Sequence, residues 1–168
     1  MASAGKLLKV HGKRFGNIAD EIGSSYSALG EHQYFVSPNQ VYQDLTASNL
    51  SFTTSASNSI FLLQVDINVY ITPDNGNGSN AAFKWNGVKI CGTDGGSGDT
   101  WQRCGHGSSG NGGACNMIRK LVYSPGLPSG TSVLANVMIG KWSSDEARVN
   151  YNGHSCYCDF IIMEFSAT

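Results

Sequence analysis

Five cysteines stand at Cys91, Cys104, Cys115, Cys156 and Cys158, and two histidines fall among them, in Cys104-Gly-His106 and His154-Ser-Cys156-Tyr-Cys158. Thiolates and imidazoles suit zinc, which takes four ligands in a tetrahedron. Cys104, His106 and Cys115 with one of His154, Cys156 and Cys158 therefore form a candidate metal set. Spacing weighs against it. Structural zinc sites carry Cys-x2-4-Cys knuckles, whereas the Cys-x-Cys here puts both thiols on one face of a strand with the backbone too extended for a knuckle. Disulfides among the same five cysteines are a second chemistry: two bridges would pin a glycine-rich loop to the last strand and leave one thiol over. A third is plain packing, with reduced cysteines filling small core positions. All three stay open at this point.

Catalytic chemistry is poorly supplied. Asp94, Asp99, Asp145, Glu146 and Asp159 are scattered, no Gly-x-Ser-x-Gly elbow or Walker loop occurs, and Gly95, Gly96 and Gly98 do not sit between a strand and a helix. The chain is read as not an enzyme, with no cofactor. Binding chemistry is better served. Sugars stack on aromatic rings and bond to polar loop groups, so Trp101 in a polar loop, Trp142 beside Ser143-Ser-Asp145, and Tyr26 are the candidate glycan contacts. Trp85, flanked by strand residues, is expected to pack on its own sheet.

These side chains need a scaffold, and composition says which kind. The 168 residues suffice for one domain with its own core. Charged residues make up 14%, Gly numbers 21, and Ser, Thr and Asn supply much of the remaining polarity, a loop-rich all-β pattern. A net charge of -1 and a pI near 6.4 leave no basic footprint for nucleic acid. Neither a signal-peptide h-region nor an apolar run of membrane-spanning length is present, so a protein made and kept soluble in the cytoplasm is expected.

The clearest element runs from Ser59 to Ile71. Leu63, Val65, Ile67, Val69 and Ile71 alternate with Gln64, Asp66, Asn68 and Tyr70, so it predicts a long antiparallel strand with one buried and one wet face. Shorter strands are expected at 6–11, 33–36, 41–45, 50–53, 82–85, 88–90, 117–123, 132–140, 147–151 and 157–165. In the last, Phe160 and Ile162 oppose Ile161, Met163 and Phe165, so both faces look covered. Asn86-Gly87 between extended runs predicts a two-residue hairpin, because both central positions of that turn need positive φ. Residues 72–80 and 92–113 read as loops, the latter with nine Gly in twenty-two residues. The expected fold is a single antiparallel β-sandwich over 1–168, jelly-roll-like, with long Gly-rich loops and with 15–40 as an attachment arm or insert.

Five segments in this order resemble a short β-sandwich family found in tail-fibre-like proteins of phages. Gly5-Lys-Leu-Leu-Lys-Val10 is similar to its opening Gly-Lys-Ile/Leu-Leu-x-Val strand. Leu50-Ser-Phe-Thr-Thr-Ser-Ala-Ser-Asn-Ser-Ile-Phe-Leu-Leu-Gln-Val65 resembles its Thr-Pro-x-Ser-x-Ser-Ser-Lys-Ile-Leu-x-x-Val block. Phe83-Lys-Trp-Asn-Gly-Val-Lys-Ile90 looks like its Asp-Gly hairpin, Tyr123-Ser-Pro-Gly-Leu-Pro-Ser-Gly-Thr-Ser-Val133 its Ser-Pro connection, and Asp159-Phe-Ile-Ile-Met-Glu-Phe165 its closing Ala-Met-Glu-Ile strand. Ser59 stands where the family has Lys, Asn86-Gly87 where it has Asp-Gly, and the cysteines lie outside the pattern.

The resemblance implies a virion surface protein, assembled in the host cytoplasm as a homotrimer beside other virion proteins, with no catalytic residues to carry over. Two working functions follow. One is a fibre-type receptor-binding adhesin whose loops touch host cell-surface glycan; the other is a capsid decoration protein on the phage head. A cellular lectin-like module is the third.

Overall fold

A computed structural model describes residues 5–16, 33–35, 42–72, 78–90, 102–103, 113–141, 146–149 and 157–167. Eleven strands, and no helix, occur among them: β1 Leu7–Gly16, β2 Gln33–Phe35, β3 Gln43–Thr53, β4 Ile60–Thr72, β5 Gly78–Trp85, β6 Val88–Lys89, β7 Gln102–Arg103, β8 Gly113–Tyr123, β9 Ser132–Lys141, β10 Glu146–Val149 and β11 Tyr157–Phe165. All pairings are antiparallel and form two sheets that pack face to face. The larger has the order β1-β11-β4-β10-β2 with β8 on the other edge of β4; the smaller has β3-β9-β5-β6 with β7 also on β5. With β2, β7 and β10 set aside, the eight remaining strands in chain order lie first-eighth-third-sixth in one sheet and second-seventh-fourth-fifth in the other.

The alternation in β4 decides which faces meet. Phe61, Leu63, Val65, Ile67 and Val69 are fully buried, and Phe160 and Ile162 of β11 join them from the neighbouring strand. From the smaller sheet come Leu45, Phe83, Val133, Val137 and Ile139. At one end the core is aromatic: Trp85 lies 4.9 Å from Phe61, 5.6 Å from Phe52 and 5.3 Å from Tyr123, ring centroid to centroid. Trp85 thus packs on the sheets, as its flanks suggest. At Asn86-Gly87 φ is 47° and 84°, and Trp85 faces Val88, which is the expected hairpin.

Several boundaries differ from expectation, each for a local reason. The two pieces at 41–45 and 50–53 are one strand, β3, interrupted by a large bulge between Leu45 and Leu50. Ser48, fully buried, holds the bulge: its hydroxyl donates to the Leu45 carbonyl at 2.6 Å and accepts from the Val137 amide at 2.7 Å, replacing the missing ladder bonds. Residues 78–80 belong to β5 instead of the preceding loop, because Ser79 and Asn80 pair with Lys141 and Gly140. Within the Gly-rich stretch, Gln102–Arg103 forms β7 against Gly78 and Ser79. The supposed arm begins inside the body: Phe15 is a fully buried core residue of β1, and Gln33–Phe35 pairs with β10. Residues 17–32 and 36–40 lie outside the described residues.

Candidate functional site

The candidate glycan contacts Trp101, Trp142 and Tyr26 lie outside the described residues, as do Cys91, Cys104, His106, His154 and Cys156. Cys115 is described through its backbone, opposite Val69 in β8. Cys158 is fully buried in β11 among the core residues, a small apolar filler facing the position of Phe15. Among the described residues no group of three His, Cys, Asp or Glu side chains could hold a metal ion. Also among them, no helix is long and apolar enough to cross a membrane.

The strand ends that flank the candidate contacts are described, and they share one end of the sandwich. Gly16 faces Tyr157, Thr72 faces Glu146, Ser79 faces Lys141 and Gly78 faces Arg103. The chain leaves Gly16 toward Tyr26, enters Gln102 from Trp101 and leaves Lys141 toward Trp142. The described strand ends that precede or follow the three candidates in the chain therefore share one rim.

The opposite end gathers the five segments singled out in the sequence. Glu164, at the end of β11, is fully buried, and its carboxylate accepts from the Ser55 amide at 2.7 Å, the Ser55 hydroxyl at 2.7 Å, the Ser59 hydroxyl at 2.7 Å and the Ala56 amide at 3.4 Å. Burial pushes this carboxyl up, but the four bonds together outweigh it and hold the group below its ordinary range. Ser59 is thus an anchor. Thr54 ties the same turn to the 124–131 connection: its hydroxyl donates to the Pro128 carbonyl at 2.7 Å and accepts from the Thr131 amide at 2.9 Å. The Ser166 amide donates to the Lys6 carbonyl, and a Cβ on Gly5 would collide with the Ser166 carbonyl, so the first and last strands are zipped together here too. Sequence reading named these segments but not the carboxylate that joins them, since Glu164 is 105 residues from Ser59.

The outer face of the larger sheet carries an apolar surface. Register places Val10, Met163, Leu62 and Val122 in one row across β1, β11, β4 and β8, and Leu7, Phe165 and Ile60 in the row beside it. Val122 is 68% exposed, Val10 54% and Leu7 48%, while the middle members are half-buried. Toward the other end the face turns polar: Gln64 stands beside Lys120, and Arg14 makes a two-point ion pair with Asp159 at 2.9 and 3.2 Å in a row with Asp66 and Ile118. Gln64 and Asn68, expected on the wet face, are half-buried and Asp66 is exposed; the outer residues of β11 are half-buried rather than covered.

No family model and no curated protein matches this chain. Among solved structures it is similar to dimeric latent PorU from Porphyromonas gingivalis (11% identity, TM-score 0.39), covering 99% of this chain and 14% of that one. It is also similar to the Eiger TNF of S. frugiperda (9% identity, TM-score 0.42), covering 97% and 96% of the two chains.

Proposed function

We propose that this chain is a non-enzymatic β-sandwich of the virion surface, a fibre-type adhesin that meets host glycan with the loops at one end and neighbouring copies with the outer face of its larger sheet. The observation that carries the reading is the shared rim: the flanks of Tyr26, Trp101 and Trp142 lie together at one end, while the other end is locked by the Glu164 anchor. Such a division suits a binding module, in which a rigid scaffold positions contact loops. The first-eighth-third-sixth strand order supports the jelly-roll form of the sandwich.

A second copy is the partner that best fits the outer face. Four strands about 4.8 Å apart and seven residues at about 3.4 Å give roughly 450 Å² in projection, and side-chain relief brings this toward the ~800 Å² per partner of a stable interface. The polar rim carries both signs, Arg14 and Lys120 with Asp66 and Asp159, so it can meet another copy of itself. Val10 and Val122, the two most exposed members of the row, sit at opposite edges, β1 and β8. A head-to-tail contact covers both, and forms a ring when its rotation closes; three is the number implied by the phage resemblance.

The test of the adhesin is Trp101→Ala, which should abolish binding to host cells or a glycan array without lowering the melting temperature. Full binding by that variant and by Trp142→Ala and Tyr26→Ala would reject it. Cryo-EM of the particle separates the tail position expected here from decoration of the head.

A further inference from the structure

The inner side of β1 holds one group that the binding reading leaves unused. His11 lies between the sheets with its ring stacked on Phe52 of β3, centroids 4.2 Å apart and planes at 30°. Its side chain is 8% exposed, and Nε2 is buried without a hydrogen-bond partner. Among the described residues, the carboxylate beside it is Glu164, whose Oε2 lies at 3.8 Å, beyond hydrogen-bond reach and already bonded to the Ser55 hydroxyl. His11 therefore touches the seam where β1, β3 and the 54–59 turn meet, and it does so as a neutral ring.

We propose that His11 is an acid-sensitive latch on β1: taking up a proton turns its ring from a packing surface for Phe52 into a buried cation, and β1 loosens from β3 and the 54–59 turn. The charges that face it are few. Lys9 and Lys13 flank it on β1, where Lys13 donates to the Asn49 carbonyl across the seam. Glu164 is the only charge from β11 at this point, and residues 49–59 of β3 and the turn contribute none. Burial and then Lys9 resist protonation, against the pull of Glu164, and the balance lies below the ordinary 6.5. The sign follows. Below about pH 6.5 the unfolded chain gains a proton that the folded chain resists, so stability held above that pH is lost as the solution acidifies toward the folded value.

Loosening has a place to act, because β1 is an edge strand and also carries Leu7 and Val10. If copies meet across that face, as proposed above, acid would weaken the assembly as well; this consequence rests on that reading, whereas the latch does not.

The experiment is hydrogen exchange by mass spectrometry at pH 7.5 and 5.5, corrected for the intrinsic rate, on the wild-type chain and on His11→Phe and His11→Gln. Wild-type peptides spanning 5–16 should lose protection at least five-fold on acidification, with those spanning 122–141 unchanged. His11→Phe, which keeps the stack, should lose the pH response. An unchanged wild-type β1, or an equal loss in His11→Phe, overturns the latch. Should neither variant fold, NMR titration of the wild-type ring decides: a His11 midpoint at or above 6.5, or titration with no change at the β1 amides, also overturns it. The exchange pattern is read on the monomer at high dilution, so a failure of self-association leaves this outcome intact.

Discussion

Removing the carboxylate with Glu164→Ala should uncouple the closed end of the sandwich. Three short bonds reach it, from the Ser55 amide, the Ser55 hydroxyl and the Ser59 hydroxyl, all at 2.7 Å; the carboxylate and Ser59 are buried, whereas Ser55 is exposed. At about 1.5 kcal/mol for each bond to a charged acceptor, the loss comes to at most about 4.5 kcal/mol, because exposed Ser55 can turn to water and the Ser59 hydroxyl to the Ala56 carbonyl. For a domain of this size that lowers Tm by up to roughly 9–18 °C. Glu164→Gln keeps an acceptor at the Oε1 position and can donate to the Ser55 hydroxyl, so about 1–2 kcal/mol is expected from the lost charge alone. Denaturant melts of Glu164→Ala, Ser59→Ala and the double variant give the coupling, which should be about 1 kcal/mol or more. A cost below 1 kcal/mol for Glu164→Ala, or strict additivity with Ser59→Ala, would refute the anchor.

Four further outcomes follow from the same geometry. Because Glu164 is held below its ordinary value near 4.5, its stabilisation is complete above that pH and is lost as pH falls through the folded value; Glu164→Gln should flatten this acid limb in urea midpoints measured between pH 5 and 2. Ser48→Ala strands the buried Val137 amide and should cost about 1–3 kcal/mol in a chemical melt, with Ser48→Thr no substitute at a fully buried site. Gly87→Ala, at a φ of 84°, should lose about 1–2 kcal/mol, and Val88 beside it, 64% exposed, should tolerate Thr within about 0.5 kcal/mol. Val122→Asp should leave the Tm of the isolated subunit within a few degrees but shift the sedimentation profile toward the monomer.

The scaffold was largely legible because strands advertise themselves by a period of two. The alternation at 63–69 identified the inner face of β4 residue by residue, and Asn86-Gly87 announced its turn through the positive φ that both residues adopt. Bulges and edges were not legible. Nothing local marks Ser48 as the hydroxyl that replaces a ladder bond, so β3 read as two pieces. Pairing is non-local as well: β7 is a strand because β5 lies alongside, and the first residues of β5 are strand because β9 and β7 flank them. The anchor was half legible, since the Ser-rich turn and the closing strand were each singled out, yet a contact across 105 residues leaves no spacing signal. The apolar outer row hid for a related reason. Val10, Leu62, Val122 and Met163 each look unremarkable in their own strands, and only register sets them side by side.

Whether copies of the sandwich meet across that row, as proposed above, is read most directly from the mass in solution. Size exclusion with light scattering at neutral pH should give about three times 17.9 kDa for the wild-type chain, and about 17.9 kDa for Val122→Asp. A wild-type chain that stays monomeric at every concentration, or a Val122→Asp variant that remains fully assembled, would contradict it.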